Sequence, residues 1–149
     1  MRAIMEQINR MTDYSARMAI RIDWSEIDLF GHVNNLAILK YIQAARVSFL
    51  ETIGLMQMQA EEKNGPILGS VNCRFRKPLF YPGEAIIYSR PGLVKNTSFI
   101  IEHVLFNDRD ELAAEAEDVI VFYDFERQVK QPLLQELRDR IESLKAAKV

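Results

Sequence analysis

The sequence predicts an α+β domain in which an antiparallel sheet wraps around one long apolar helix. Residues Leu36 to Ile53 carry apolar side chains around most of the helix circumference, so this helix needs cover on several sides. Strand-like segments joined by short turns follow it, and strands with such connections pair antiparallel. After Pro132, apolar residues on one face and charges on the other predict a C-terminal amphipathic helix.

The chain length indicates one domain with a hydrophobic core, because 149 residues are few for two independent domains. We expect a single domain over residues 16–149. Residues 1–15 have no clear period and are expected to form an N-terminal arm. The formal net charge of −2 gives no reason to expect nucleic acid as a partner.

The cysteine content and the apolar runs indicate the compartment. Cys73 is the one cysteine, so no internal disulfide can form and no cysteine cluster can bind zinc. No apolar run reaches the roughly 20 residues that cross a bilayer, and the N-terminal residues lack the apolar core of a signal peptide. We therefore expect a cytoplasmic protein that does not insert into membranes and uses no metal.

A polar loop separates the first strand from the long helix. Apolar residues alternate with others from Met18 to Trp24, which is the period of a strand with one buried face. Two acids, Glu26 and Asp28, follow. The helix expected over Leu36 to Ile53 then ends at Gly54, in the position of a C′ glycine.

The second half of the chain is expected to supply the remaining strands. Residues Gln57 to Pro66 are polar and contain a turn signal, which predicts a loop that could overhang a cleft. Residues 111–118 are rich in alanine and glutamate, which favours a helix, but they run into a strongly β-prone segment and are expected to form a strand. The strands are therefore expected at Ile67–Phe75, Ala85–Arg90, Phe99–Phe106 and Glu111–Tyr123.

The polar loop contains the residue types that acyl-group hydrolysis requires. The first turn of a helix has amide groups without intrahelical partners and carries about half a positive charge, which stabilises a carbonyl oxygen that gains negative charge. Gly31 lets a ligand approach the backbone, and Asn34 or Asn35 can act as the N-cap. Asp28 lies within a few residues and can act as general base or nucleophile. A polar turn without chemistry is the alternative, since turns favour these residue types.

The same stretch resembles a known family. The run Asp28-Leu29-Phe30-Gly31-His32-Val33-Asn34-Asn35, followed by Tyr41 and Ala44-Ala45-Arg46, resembles hotdog-fold acyl-CoA thioesterases of the 4-hydroxybenzoyl-CoA thioesterase type. The likeness is closest to the branch acting on fatty acyl-CoA, which has a basic-basic-proline element similar to Arg76-Lys77-Pro78. It extends from about Met18 to Leu144 and implies the hotdog fold.

The resemblance implies hydrolysis of acyl-CoA to a free acid and CoA, without a cofactor because CoA is part of the substrate. Asp28 matches the catalytic carboxylate. The backbone N–H of Asn35, aligned from Gly31, matches the donor to the thioester carbonyl. Glu26 matches an earlier acid that does not react, and Gln43 stands where relatives often have a glutamate.

Other motif and loop residues are expected to bind substrate. Ser98 matches a loop close to coenzyme A in relatives, with Lys95 as a phosphate contact. Arg76 and Lys77 cluster where a phosphate can bind, although a solvated basic turn explains them equally. His32 contacts either the substrate or the loop backbone. Together the expected substrate contacts are His32, Asn34, Lys95, Ser98, Arg76 and Lys77.

Three further side chains have less specific expectations. His103 falls inside a predicted strand away from the motif, so we expect a structural role. Arg46 is expected either to order the Asp28 loop or an interface, or to contact ligand. Cys73 is expected to be a small hydrophobic residue of the core.

The apolar helix from Leu36 and the segment Leu55-Met56-Gln57-Met58 predict an adaptable apolar tunnel, since methionine fills irregular space. Medium or long acyl chains are then the expected substrates.

A sheet that wraps one helix leaves an edge open, so we expect a homodimer or homotetramer with an active site built from both chains. The alternatives are a non-catalytic hotdog module that binds acyl thioesters, and a thioesterase acting on acyl-carrier protein.

Overall fold

The computed structural model describes Met1 and residues 13–146, so the predicted arm lies largely outside the described residues. The helices are α1 (Asn35–Thr52), α2 (Leu55–Glu62) and α3 (Gln135–Ala146), and a short 3-10 helix covers Trp24–Glu26. The strands are β1 (Ala16–Arg21), β2 (Asn64–Phe75), β3 (Glu84–Val94), β4 (Ser98–Phe106), β5 (Leu112–Asp124) and β6 (Val129–Lys130).

The strands form one curled antiparallel sheet in the order β1-β3-β4-β5-β2, with β6 paired to β5. This is the predicted α+β class. Phe106 of β4 pairs with Leu112, and Phe75 ends β2 nearby opposite Ala114; we call this the upper end of the sheet. At the lower end, Ser98 pairs with Val121. Strand β2 is an edge strand.

The alanine- and glutamate-rich segment is part of strand β5, as predicted. Its alanines, including Ala114 and Ala116, are buried on the face of the sheet that α1 covers, while Glu115 and Glu117 lie on the other face. Period-two burial therefore outweighs the helix propensity of the individual residues.

The prediction of a loop over residues 57–66 is wrong. Leu55 to Glu62 form α2, and β2 already starts at Asn64. The turn lies between them at Lys63, whose φ of 57° is the left-handed conformation. Pro66 is compatible with β2 because a residue without an N–H is tolerated on an edge strand.

The C-terminal helix starts three residues after the predicted position at Pro132. The Gln131 N–H donates to the Phe122 carbonyl over 2.9 Å, and the Leu133 N–H donates to the Asn96 carbonyl over 2.9 Å. These bonds hold residues 131–133 against the lower end of the sheet, so the helical conformation begins only at Gln135.

The hydrophobic core between α1 and the sheet consists of two clusters. The first, under the N-terminal half of α1, includes Ile38, Ile42 and Leu105. The second, under the C-terminal half, includes Phe49 and Phe99 together with Leu137 and Ile141 of α3. The segment predicted to line a tunnel also belongs to this second cluster: Leu55 is fully buried, and Met56 and Met58 pack against it. That segment therefore fills the core.

No helix among the described residues has the length and hydropathy that crossing a bilayer requires.

Candidate active site

The loop before α1 is held in place by Glu26. Its Oε1 accepts hydrogen bonds from the Asp23 N–H (2.9 Å) and from the Tyr41 hydroxyl on α1 (2.7 Å). Burial and the bond to Glu26 raise the pKa of Tyr41, so its hydroxyl keeps the proton that it donates. Glu26 therefore connects the 3-10 helix to α1.

Asp28 closes a tight turn with its own side chain. Its Oδ1 accepts the N–H groups of Phe30 (2.9 Å) and His32 (3.2 Å), and its backbone N–H donates to the His32 carbonyl (2.8 Å). Gly31 has a φ of 80°, a conformation that disfavours side chains. The other carboxylate oxygen, Oδ2, has no hydrogen-bond partner among the described residues, so it is free for chemistry.

Asn34 is the N-cap of α1. Its Oδ1 accepts the Ala37 N–H (2.8 Å) and its Nδ2 donates to the Glu26 carbonyl (3.0 Å). The first two helical amides, of Asn35 and Leu36, have no acceptor within residues 13–146. They are the unpaired donors that a helix N-terminus presents to an anion.

Replacing Asn34 by alanine should lower the free energy of unfolding by about 1–2 kcal/mol, because the cap and its bond to Glu26 are both lost. The neighbouring Asn35→Ala is the matched control. The Asn35 side chain is exposed and has no hydrogen bond among the described residues, so the change should stay within about 0.5 kcal/mol. Urea denaturation compares the two; equal losses would contradict the assignment of the cap.

A cleft of about 350 Å³ brings several predicted residues together at the upper end of the sheet. His32 borders it and packs edge-on against Phe80, with ring centroids 5.2 Å apart. Gly31 and Asn34 shape the loop without lining the cleft. The lining residues are Asp28, His32, Val33, Asn35, Ile38, Phe75, Arg76, Lys77 and Pro78.

The basic residues at the rim of this cleft have carboxylate partners. Arg76 is 2.8 Å from Glu115, and Lys77 pairs with Glu111. Both cations remain about half exposed, at 48% and 54% of their side chains. A phosphate group can therefore reach them but must compete with these carboxylates.

Lys95 and Ser98 lie far from the cleft within one chain. They are at the lower end of the sheet, separated from the upper end by the length of β4, roughly 26 Å. The Lys95 and Asn96 carbonyls accept hydrogen bonds from Nη2 of Arg138, over 2.9 Å and 3.0 Å. One chain alone does not combine these residues with Asp28.

Sequence reasoning missed a buried polar network between the two core clusters. Arg46 donates from Nε (2.8 Å) and Nη2 (3.2 Å) to Asp118 on β5. His103 Nε2 lies 2.8 Å from Asp118 Oδ2, and His103 Nδ1 lies 2.7 Å from Ser89 Oγ. Ser89, His103 and Asp118 are at most 2% exposed, so the Ser89 hydroxyl is not accessible as a nucleophile to a thioester carbonyl in the observed conformation.

The network corrects one part of the expectation for Arg46: its guanidinium binds Asp118 on β5 and not the Asp28 loop. Burial raises the pKa of Asp118, but hydrogen bonds from His103 and Arg46 outweigh that effect and hold it below its usual range. His103 has the expected structural role. Only the β3–β4–β5 register could have revealed the cluster, since it aligns Ser89 with His103 across the strands.

Among residues 13–146 no three His, Cys, Asp or Glu side chains are grouped to bind a metal ion.

The chain is similar to several known proteins. It is 24% identical to the long-chain acyl-CoA thioesterase FadM of Escherichia coli (strain K12) over 126 residues, which are 84% of this chain and 96% of FadM. It is 23% identical over 93 residues to the uncharacterized protein YsmA of Bacillus subtilis (strain 168), and spans 62% of each chain. A solved thioesterase from Thermus thermophilus, complexed with coenzyme A and Zn, superposes with a TM-score of 0.80 at 21% identity, covering 92% of this chain and 98% of that one.

A family model described as the thioesterase-like superfamily matches residues 22–141, which include the Asp28 loop, α1 and the whole of strands β2 to β5. The match agrees with the class of enzyme predicted from the Asp28 motif. The chain therefore belongs to the thioesterase-like superfamily.

Proposed function

We propose that this protein hydrolyses acyl-CoA thioesters to a free acid and CoA. One observation carries the proposal: the free Oδ2 of Asp28 shares a cleft with the start of α1, where the amides of Asn35 and Leu36 are unpaired. A carboxylate beside such donors is the minimal apparatus for acyl transfer to water.

In the proposed reaction, the thioester carbonyl oxygen accepts hydrogen bonds from the Asn35 and Leu36 amides. Asp28 removes a proton from a water molecule as its oxygen attacks the carbonyl carbon, and the oxygen that becomes negative is stabilised at the helix N-terminus. The carbon–sulfur bond then breaks, and the departing thiolate of CoA takes up the proton that Asp28 removed from water, which restores the Asp28 carboxylate. As a nucleophile, Asp28 Oδ2 would instead form an anhydride that water hydrolyses after CoA has left.

A fatty acyl-CoA is the proposed substrate class. The similarity to FadM supports it, as do the apolar side chains beside the cleft. The hotdog arrangement of the sheet around α1, membership of the 4-hydroxybenzoyl-CoA type and a cytoplasmic location stay predictions. The principal alternatives are a non-catalytic module that binds acyl thioesters and a thioesterase that acts on acyl-carrier protein.

A hydrolysis screen tests the proposal. Acyl-CoA substrates of increasing chain length, together with aromatic acyl-CoAs, are followed by release of free thiol. Hydrolysis of at least one series, with kcat lowered at least ~10²-fold in Asp28→Asn, supports the enzyme. Binding without thiol release would support the non-catalytic module instead, and activity confined to acyl-carrier protein thioesters would identify the other carrier.

The protein is further proposed to act as a homodimer or larger homo-oligomer. Strand β2 is an edge strand, and exposed edges invite pairing with another chain. Leu29 and Phe30, at the tip of the Asp28 turn, are 96% and 80% exposed. A two-fold pairing of β2 strands in opposite directions brings the lower end of one sheet towards the upper end of the other. Lys95 and Ser98 of one copy would then approach the cleft of its partner.

Light scattering at micromolar concentration should therefore show at least twice the 17.3 kDa mass of one chain. The measurement should be repeated at several concentrations, because a weak dimer dissociates on dilution. A 17.3 kDa species at every concentration would refute both the assembly and the shared site.

A further inference from the structure

The inward face of β2 carries a line of apolar side chains that starts at the proposed active site. Register with β5 places these side chains on the same face of the sheet as the buried residues under α1. From the upper end downwards they are Phe75, Cys73, Val71 and Leu68. Phe75 also lines the Asp28 cleft, so the line continues the cleft along the strand.

This line is largely uncovered within one chain. Phe75, Val71 and Leu68 are 49%, 42% and 41% exposed, and Cys73 packs partly against the first core cluster. The inward side chains contain no charge or hydrogen-bonding group other than the Cys73 thiol, whose pKa is raised by burial and by the nearby Asp118 charge. The surface therefore suits an uncharged hydrocarbon.

An ion pair joins helix α1 to the sheet beside Val71. Arg46 lies three turns after Asn35 and hence on the same side of α1. Its guanidinium crosses to β5 and binds both carboxylate oxygens of Asp118, which is directly opposite Val71 in the sheet. The Arg46 and Asp118 side chains are only 12% and 0% exposed, and His103 Nε2 also bonds the Oδ2 atom of Asp118.

We propose that the Arg46–Asp118 pair terminates the path of the substrate's acyl chain and so determines the longest chain accepted. The inference rests on the proposed function, which places the thioester carbonyl at the start of α1. From Ala114, opposite Phe75, to Asp118 the path is four residues of β5, or roughly 13 Å. At about 1.3 Å per carbon of an extended chain, this length accommodates about ten carbons.

The acyl chain is the proposed occupant because the apolar line is continuous with the cleft that holds Asp28. A chain that lies between α1 and β2 meets the paired charges at Val71 and cannot displace a guanidinium bound at two points. Medium chains should therefore be preferred over long ones.

The test measures kcat/KM for saturated acyl-CoA substrates from two to sixteen carbons. Wild-type activity should rise to about ten carbons and be at least ~10-fold lower at sixteen. The double variant Arg46→Ala with Asp118→Asn removes both charges and keeps an acceptor for His103. It should raise the ratio of sixteen-carbon to eight-carbon activity by at least ~10-fold.

A second variant leaves the buried pair intact. Val71→Phe adds bulk at an exposed position on the inward face, so it should lower kcat/KM for eight and ten carbons while four-carbon activity stays near wild type. Ile67→Phe is the matched control. Ile67 is 41% exposed on the same strand, but it pairs with Val121 and its side chain lies on the opposite face of the sheet. The chain-length profile of Ile67→Phe should therefore equal that of wild type.

Each outcome decides the inference. Failure of the wild type to hydrolyse any acyl-CoA overturns both proposals. Hydrolysis that peaks at sixteen carbons, or a profile unchanged in the charge-free double variant, overturns the length limit alone. If circular dichroism shows that the double variant does not fold, the comparison of Val71→Phe with Ile67→Phe decides whether the length limit stands. A further outcome is that light scattering shows a changed assembly mass for Val71→Phe while its chain-length profile equals that of wild type. That result would assign the apolar line to a subunit interface and would also overturn the inference.

Discussion

Replacement of Asp28 by asparagine should lower kcat at least ~10²-fold with little change in KM. The amide oxygen can still accept the bonds from Phe30 and His32, so the turn keeps its shape. What is lost is the charge and basicity of Oδ2, which the proposed reaction needs only in the transition state. Steady-state kinetics with thiol release on the best acyl-CoA measure both constants.

Glu26→Gln is the control for this experiment. Its amide oxygen can still accept from Asp23 and Tyr41, so the loop should remain attached to α1 and kcat should change by no more than about 3-fold. Comparable losses in both variants would indicate general damage to the loop. Full activity of Asp28→Asn would transfer the catalytic role to another residue.

Arg46→Ala should reduce the free energy of unfolding by about 3–5 kcal/mol, because it leaves Asp118 buried without its bidentate partner. That is a large part of the roughly 5–15 kcal/mol that stabilises a typical domain. Urea denaturation at neutral pH measures the loss. Lys145→Ala, which breaks an exposed pair with Glu142, should change stability by at most about 1 kcal/mol.

The charge of Asp118 also predicts how stability depends on pH. Its pKa is depressed in the folded protein, so its contribution is fully present above the unfolded value near pH 4 and is lost as pH falls through the folded value. Urea midpoints between pH 7 and pH 3 should fall less steeply below about pH 4 in Asp118→Asn than in wild type. Parallel curves would show that the carboxylate does not contribute.

The sequence by itself determined the Asp28 loop and most of the sheet. The turn itself depends on contacts within about ten residues, such as the Asp28 bonds to Phe30 and His32 and the Asn34 cap, and short-range chemistry is visible in residue order. The attachment of the loop to Tyr41 and to the Leu79 carbonyl is longer-range and was not predicted. Strand β5 was likewise predictable, because its helix-favouring residues run without a break into a strongly β-prone segment.

The tertiary structure alone decided which distant residues meet. Arg46 and Asp118 are 72 positions apart, and their bond depends on strand register and on the rotation of α1, neither of which a local pattern specifies. The same limit applies to the predicted substrate contacts: Arg76 and Lys77 reach the Asp28 cleft because β2 ends there, while Lys95 and Ser98 lie at the other end of β4. Local periodicity encodes which face of an element is buried, whereas the neighbours of that face are determined by how the elements pack.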